Sequence, residues 1–340
     1  MDVPTNGLSG GLALDRSFRI AGLEMPNRVV LGPMAGVTGR AFRRHLKRHG
    51  AGLVFTEMVS AYGIVYRNRR TEDYLEFEQE ERPLGVQLFA AEPHVLGEAA
   101  ELVLERERTP DLLDINMGCP VRKVVKTGAG SALLADPARA VSAAAAVVRA
   151  AAARVPVTVK LRSGLVPGEH TALELGPRLE AVGVSALCLH PRVASQMYRG
   201  TADHAETAAL KRLVSIPVIA SGDVDSRAAA AAIMERTGAD AIMVARGVLG
   251  NPWLVSELLQ TGTTVLGGAA VLDDLLELLE GVTAEMGQER GVRWFRTHLG
   301  WYLKRLRVPA RRIGELRAAR GVEEVRAGLE RLRRELTLTP

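Results

Sequence analysis

The chain has 340 residues, 47% hydrophobic and 24% charged, with a formal net charge of +5 and two cysteines. That balance describes an ordinary globular protein with room for one large domain and a smaller one, and it excludes disordered, collagen-like and disulfide-stapled chains. The N-terminal MDVPTNGLSGGLALD lacks the basic start and apolar core of a secretory signal, and no apolar run reaches the length of a membrane span. A cytoplasmic protein is therefore expected, with Cys119 and Cys188 as free thiols and no metal site, since no Cys/His spacing suggests one.

Residues 1–16 read as a flexible tail. Eight short β-branched apolar runs follow: RVVLGPM (28–34), GLVFTEM (52–58), LGVQLF (84–89), DLLDINM (111–117), VPVTVKLR (155–162), VSALCLH (184–190), IPVIASG (216–222) and ADAIMVAR (239–246). Between them lie helical segments such as AEPHVLGEAAELVLERE and DPARAVSAAAAVVRAAAA, the second opening on Asp136–Pro137, an apt cap and first helical residue. Strands separated by helices imply right-handed parallel crossovers, and eight such units fit a closed (β/α)8 TIM barrel over residues 17–261. An open, doubly wound sheet is the alternative. Residues 262–340 lose the strand signals and show helical periodicity, which predicts a small C-terminal helical bundle. Charge is segregated as well: residues 281–340 hold 14 Lys and Arg against 7 Asp and Glu, while the rest of the chain holds 30 against 32.

A barrel of this kind builds its site from the C-terminal ends of its strands. Those ends carry Pro33, Met34 and Ala35; Thr56 and Glu57; Gln87; Asn116, Gly118 and Cys119; Lys160 and Arg162; His190 and Arg192; Ser221, Gly222 and Asp223; Ala245, Arg246 and Gly247. Singly, each has a structural reading, with Gln87 bonding backbone, Lys160 and Arg162 as rim charges and His190 as a satisfied core histidine. Together, a Lys and a Gln could hydrogen-bond the carbonyl and ring-nitrogen edge of a flavin, with the Lys stabilising charge on the reduced ring. Small residues in SGDVDS and ARGVLGNP could bring backbone amides to a phosphate beside Arg246. No GxGxxG fingerprint accompanies a strand, so FMN is the better reading than a tightly bound dinucleotide.

The motifs GPMAGVT, TEM, VQLF, DINMGCP, KVVKTGAGSALL, VTVKLRSG, SGDV and ARGVLGNPW, in this order, resemble the tRNA-dihydrouridine synthases, most closely the bacterial B-like branch. The resemblance covers residues 28 to 255 or so, and THLGWYLKRL resembles the start of that family's helical tRNA-binding region. It implies an FMN-binding catalytic barrel at 17–261, a tRNA-binding domain at 262–340, and reduction of tRNA uridines to 5,6-dihydrouridine with NADPH as electron source. By position it implies Pro33, Met34 and Ala35 along the flavin, Gln87 and Lys160 at the isoalloxazine edge and His190 nearby. Ser221, Gly222, Asp223, Ala245 and Arg246 would take the phosphate and ribityl groups, and Asn116 the uracil, with Lys123, Lys126, Arg162 and Arg192 on the tRNA side. The family usually shows HGRT, NGD and GRG where this chain has HPRV, SGD and ARG. Of these, Pro191 matters most, because it removes an amide donor and stiffens the turn that sets what Arg192 and Gln196 reach.

Reducing the C5–C6 bond of uracil requires a hydride at C6 and a proton at C5, and a thiol that is mostly protonated at neutral pH can supply the proton. Cys119 is the expected donor, held by Gly118 and Pro120, whereas Cys188 lies within a strand and is assigned to packing. KVVKTGAG reads either as a lid or as an ordinary helix-entry loop. In the last segment Arg293, Arg296, Lys304, Arg305, Arg307, Arg311 and Arg312 interleave with Trp294, Trp301 and Tyr302. Basic charge beside a slightly acidic barrel is the footprint of a protein that grips RNA phosphates, although solvated charges and core aromatics would give the same pattern. A monomer is expected. A small-molecule pyrimidine oxidoreductase, similar to dihydroorotate dehydrogenase, and a catalytically inert RNA-binding module are the alternatives.

Overall fold

The computed structural model describes residues 13–261 and 266–338. Most of the expected tail, residues 1–12, lies outside the described residues, as do 262–265 at the expected domain boundary and 339–340. Leu14, within the stretch expected to be a tail, is fully buried, and its carbonyl accepts from the Arg28 amide at 2.8 Å.

Eight parallel strands form the barrel: β1 (Val29–Leu31), β2 (Val54–Phe55), β3 (Leu84–Phe89), β4 (Leu112–Met117), β5 (Val157–Arg162), β6 (Ala186–His190), β7 (Val218–Ser221) and β8 (Ala241–Val244). Neighbours pair in chain order from β2 to β8, and β8 pairs β1. The ring closes between β1 and β2 through a Val30–Leu53 bridge, with Leu31 N–H donating to Leu53 O and Gly52 N–H to Val29 O at 2.8 Å each. The open-sheet alternative is thereby excluded.

Helices cover the outside: α1 (Arg40–Arg48), α2 (Ala61–Val65), α3 (Arg69–Leu75), α4 (Pro93–Leu104), α5 (Arg122–Val125), α6 (Pro137–Ala151), α7 (Thr171–Ala181), α8 (His204–Leu213), α9 (Arg227–Thr237) and α10 (Leu254–Leu259). The expected start of α6 is present, with Asp136 accepting from the Arg139 amide at 3.0 Å and Pro137 in the first turn. Side chains alternate along each strand. Leu113, Ile115 and Met117 face the helices and join the large core, whereas Leu112 faces the barrel interior with Phe55, Ala186, Cys188, Ile219, Ala241 and Met243.

The interior changes character along the barrel axis. At the N-terminal end it is apolar and is closed by an antiparallel hairpin, Phe18–Ile20 with Leu23–Met25, whose Phe18, Ile20 and Met25 pack inside. Toward the C-terminal end the same inward register places Gln87, Asp114 and Asn116, then Lys160, Arg162, His190 and Ser221. One period-two pattern thus builds a dry floor and a polar mouth. Cys188 sits in this interior, 3.5 Å from Met243 Sδ, and burial pushes its thiol up to about 12, so it packs as an apolar group.

Four helices complete the chain: α11 (Gly268–Met286), α12 (Gln288–Arg305), α13 (Ala310–Ala318) and α14 (Val322–Leu338). Their Leu and Val side chains join the core that surrounds the barrel. At the junction Asp274 of α11 accepts from Tyr302 at 2.6 Å and bonds His45 of α1 and His49 at its C-cap at 3.1 and 2.9 Å. His298 is fully buried among Phe42, Trp294 and Trp301; burial and the nearby His45 hold it down to about 3, so it stays neutral. The aromatics expected to interleave with basic residues therefore pack the junction: Tyr302 is buried and stands edge-on to Trp253, and Trp294 stacks on His298. Among the described residues, no helix is long and apolar enough to cross a membrane.

Candidate active site at the barrel mouth

A cavity of about 860 Å³ opens at the C-terminal ends of the strands. Pro33, Met34, Ala35, Gln87, Asn116, Cys119, Lys123, Lys160, Arg162, His190, Ser221, Gly222, Asp223, Ala245 and Arg246 line it. Lys126 and Arg192 do not; Lys126 is exposed just after α5, and Arg192 is buried behind the wall.

Beneath the thiol runs a directional chain of hydrogen bonds. Thr158 Oγ1 donates to Asp114 Oδ1 at 2.5 Å, and Gln87 Nε2 donates to Asp114 Oδ2 at 2.7 Å. Asn116 Nδ2 donates to Gln87 Oε1 at 2.9 Å, and Asn116 Oδ1 accepts the Gly118 and Cys119 amides at 3.1 and 2.9 Å. Because a carboxylate only accepts, Asp114 fixes which end of each amide points where. Burial raises Asp114 to about 6, against the pull of Gln87, Thr158 and Lys160. Sequence reading missed Asp114, although it stands two residues before Asn116 and so on the same face. Asn116 was expected to bind uracil; its Oδ1 is taken by two backbone amides, but only one Nδ2 hydrogen goes to Gln87, the other facing Met58 Sδ at 3.6 Å, so Nδ2 retains a donor for a base.

Cys119 leaves β4 on this support. Burial raises its thiol above the ordinary range, while the Val121 amide, Arg162 and Lys160 pull the other way, so it is a protonated acid at neutral pH. Gly130, at φ +64°, lies beneath it; a Cβ there would come within 2.7 Å of the Cys119 carbonyl oxygen. Ser131 N–H donates to that oxygen at 3.0 Å, so the far end of KVVKTGAG is tied to the thiol's own backbone. Lys160 pairs with Asn116 in the β4–β5 register, and no protein acceptor takes its ammonium among the described residues.

The guanidinium groups behave differently. Arg162 spends Nε on Gly118 O at 3.0 Å and Nη1 on Val193 O and Met197 O at 3.1 and 2.8 Å, which shapes the wall and leaves only Nη2 without a protein partner. Pro191 produces a tight turn in which the Arg192 amide donates to His190 O at 2.8 Å, while Gln196 Oε1 accepts from the Val193 amide at 2.8 Å. Arg192 then holds both Asp223 oxygens at 2.8 Å and points Nη1 at His190 Nε2, 3.2 Å away. Since Arg can only donate, Nε2 accepts and the ring proton sits on Nδ1. Burial first, then Lys160, Arg162, Arg192 and Arg246, push His190 far below its ordinary value, so its ring is neutral throughout the physiological range. Asp223 is itself half-exposed; burial disfavours its charge, but the Ala202 amide and Arg192 outweigh that and keep it ionised. Tyr198 gave no signal in the sequence, yet Arg162 and Arg246 lie over its ring at 5.5 and 4.5 Å.

These residues suit a flavin. Among the described residues the Gly222 and Asp223 amides find no acceptor, and beside them the first turn of Arg246–Val248 presents further unpaired amides and the Arg246 side chain, a cradle for a phosphate. Gly222, at φ +115°, holds a backbone conformation that L side chains rarely adopt, and a Cβ there would also be tight against Ala202 at 3.0 Å. Across the cavity Lys160 offers an unpartnered cation and Gln87 a fixed amide.

Comparisons with known proteins agree in direction. The family model described as dihydrouridine synthase matches residues 30–335. The chain is 40% identical to tRNA-dihydrouridine synthase B of Pseudomonas aeruginosa over 295 residues, 85% of this chain and 87% of that one. It is 37% identical to the protein of that name from Shewanella oneidensis over 292 residues, 84% and 89% of the two chains. Among solved structures it resembles morphinone reductase, with a TM-score of 0.54 at 15% identity over 76% of this chain and 92% of that one. It also resembles histamine dehydrogenase from Rhizobium sp. 4-9, with a TM-score of 0.57 at 12% identity over 96% and 64%. At these identities the structural likenesses describe the barrel alone.

Proposed function

We propose a reaction from one premise: the chain belongs to the dihydrouridine synthase family. It is a flavin-dependent oxidoreductase that reduces the C5–C6 bond of uridines in tRNA to 5,6-dihydrouridine, with NAD(P)H as the source of electrons. The observation that carries the residue roles is the meeting, in one cavity, of a protonated thiol, an unpartnered ammonium and a cradle of free amides.

In this reading the cofactor is FMN, non-covalently held, and the donor is NADPH. Gly222, Asp223, Ala245 and Arg246 would hold the phosphate and ribityl end; Pro33, Met34 and Ala35 would line the ring; Gln87 and Lys160 would meet its polar edge, with Lys160 supplying positive charge there. When bound and reduced, a flavin there would supply the hydride that C6 of the uracil needs. Cys119 donates its proton to C5 from the other face, and its raised thiol keeps that proton available at neutral pH. Asn116 and the carboxylate of Asp114 behind it position that thiol. His190, neutral and donating through Nδ1, presents a hydrogen bond without adding charge. Lys123 and Lys126 on the α5 side meet tRNA phosphates, and the excess positive charge of residues 281–340 attracts the rest of the tRNA. A monomer working in the cytoplasm completes the proposal.

The test is direct. Purified protein should release FMN on heating, and with NADPH it should form dihydrouridine in tRNA that lacks it. Reduction of free pyrimidines in preference to tRNA, or release of FAD, would overturn the corresponding part.

A further inference from the structure

The chain leaves few large aromatic side chains in water, and two of them stand together beside the mouth. Tyr62 is 36% exposed and Tyr66 76%, and their rings stack with centroids 6.3 Å apart and planes 16° from parallel. They are four residues apart, Tyr62 in α2 and Tyr66 at its C-cap, and so share one face of that turn. This segment starts at the cavity: Met58 lines it, and Val59 and Ser60 pair with Leu88 and Phe89 at the end of β3.

The segment is firmly held. Ser60 Oγ accepts the Gly63 amide at 3.3 Å, and the Asn68 amide donates to Gly63 O at 2.8 Å. Asn68 Oδ1 in turn caps α3 at the Arg70 amide, 3.0 Å away, and Arg106 pairs with Glu72 and Glu76. Ala61, Ile64, Thr71 and Leu75 face the core, so the tyrosines face outward on a fixed support. Arg67, Arg69 and Arg70 are exposed around them, and none makes an ion pair among the described residues. In the same stretch Glu72 is committed to Arg106, and Asp73 is the exposed acid that remains. Some exposed arginines elsewhere stand beside glutamates, as Arg293 with Glu289 and Arg311 with Glu315, while others such as Arg122 and Arg199 also make no ion pair among the described residues, but without exposed aromatic neighbours stacked on each other.

Unpaired guanidinium groups around a bare aromatic stack match a strand of nucleotides, whose phosphates want the cations and whose bases want the rings. The proposed reaction creates such a strand. A uridine that enters the barrel leaves its stack, and the bases on either side of it lose a stacking partner. Resting on that reading, we propose that Tyr62 and Tyr66, with Arg67, Arg69 and Arg70, form a platform at the barrel mouth that stacks the unstacked tRNA nucleotides flanking the uridine being reduced.

The full-length protein carrying Tyr62→Ala with Tyr66→Ala tests this against the same pair changed to Phe. The Ala pair should weaken the tRNA Kd on the order of 10-fold or more. The Phe pair should restore it, because the ring and not the hydroxyl does the stacking. Flavin content and bleaching by NADPH should match the parent in both. Replacing Arg67, Arg69 and Arg70 by Ala should reduce the slope of log affinity against log salt by about 0.7 for each phosphate that is no longer neutralised. A parent Kd in the Ala pair, or no recovery in the Phe pair, overturns the platform. So does sedimentation in which the parent associates with itself and the Ala pair does not, which would make the tyrosines an interface between copies of this chain. If the parent makes no dihydrouridine in tRNA, the proposed function falls; if the parent makes it and the variants bind alike, only the platform does.

Discussion

At the barrel mouth Arg162 and Arg192 are each 2% exposed and give their guanidinium hydrogens to backbone carbonyls, one carboxylate and the His190 ring, whereas in the C-terminal helices Arg293, Arg311 and Arg312 lie in water beside Glu289, Glu315 and Glu335. The same side chain is a fixed brace in one region and a mobile charge in the other. A buried guanidinium with its donors satisfied sets the shape of a wall, and removing it strands several acceptors at once. An exposed pair contributes about 0.2–1 kcal/mol and is screened by salt, so the helices' arginines matter through their summed field. A net count of charge sees the second use and is blind to the first.

The largest effect should come from the mouth. Cys119→Ala is expected to lower uridine reduction by about 10²–10⁴-fold while NADPH still bleaches the flavin, since only the proton at C5 is lost. Single-turnover reoxidation of the reduced flavin by tRNA reads this directly, and a parent rate there would remove Cys119 from the chemistry.

Next in size is the contrast between braces and charges. Arg162→Met should cost about 1–3 kcal/mol for each of its carbonyl partners that water fails to reach. Arg311→Met should stay within about 0.5 kcal/mol of the parent. Thermal unfolding of both variants decides the matter: equal losses would erase the distinction between the regions.

The smallest expected effect is a pH dependence. Asp114 is raised to about 6, above the ordinary carboxylate range, so between its unfolded value and about 6 the folded protein holds a proton that the unfolded chain releases. That contribution to stability is complete below the unfolded value and is lost as pH rises through about 6. The hydrogen-bond chain runs the other way, because a protonated Asp114 can no longer accept from both Gln87 and Thr158. Reoxidation of flavin by tRNA should therefore decline modestly as pH falls through about 6, and that step should be absent in Asp114→Asn. Persistence of the step in the variant would assign it to another group.

The barrel was legible because its eight strands are compact β-branched runs, and fifteen of the expected site residues stand at the cavity because strand ends converge by geometry alone. What stayed hidden depends on register between strands. Asp114 meets Gln87 and Thr158 only once β3, β4 and β5 are aligned, with Gln87 opposite Asp114 and Asp114 opposite Thr158. No local pattern announces that alignment. Arg192, expected on the substrate side, stands elsewhere for a related reason, since the turn at Pro191 folds it back on His190 and Asp223. Tyr198 follows a short turn with no periodicity of its own. The aromatics of α12 illustrate the opposite ambiguity: helical spacing announces a face, but only the packing on α1 and on Trp253 at the start of α10 shows that the face is turned inward.

The hairpin that fills the barrel floor bears on access. Phe18, Ile20 and Met25 pack among the interior side chains at the N-terminal end, and the cavity is lined by residues at the C-terminal strand ends. The hairpin therefore leaves the strand C-termini as the end at which a nicotinamide and a nucleobase would approach. A cofactor held there by Lys160 and Arg246 would then be reached by electron donor and nucleobase from the same side of the barrel.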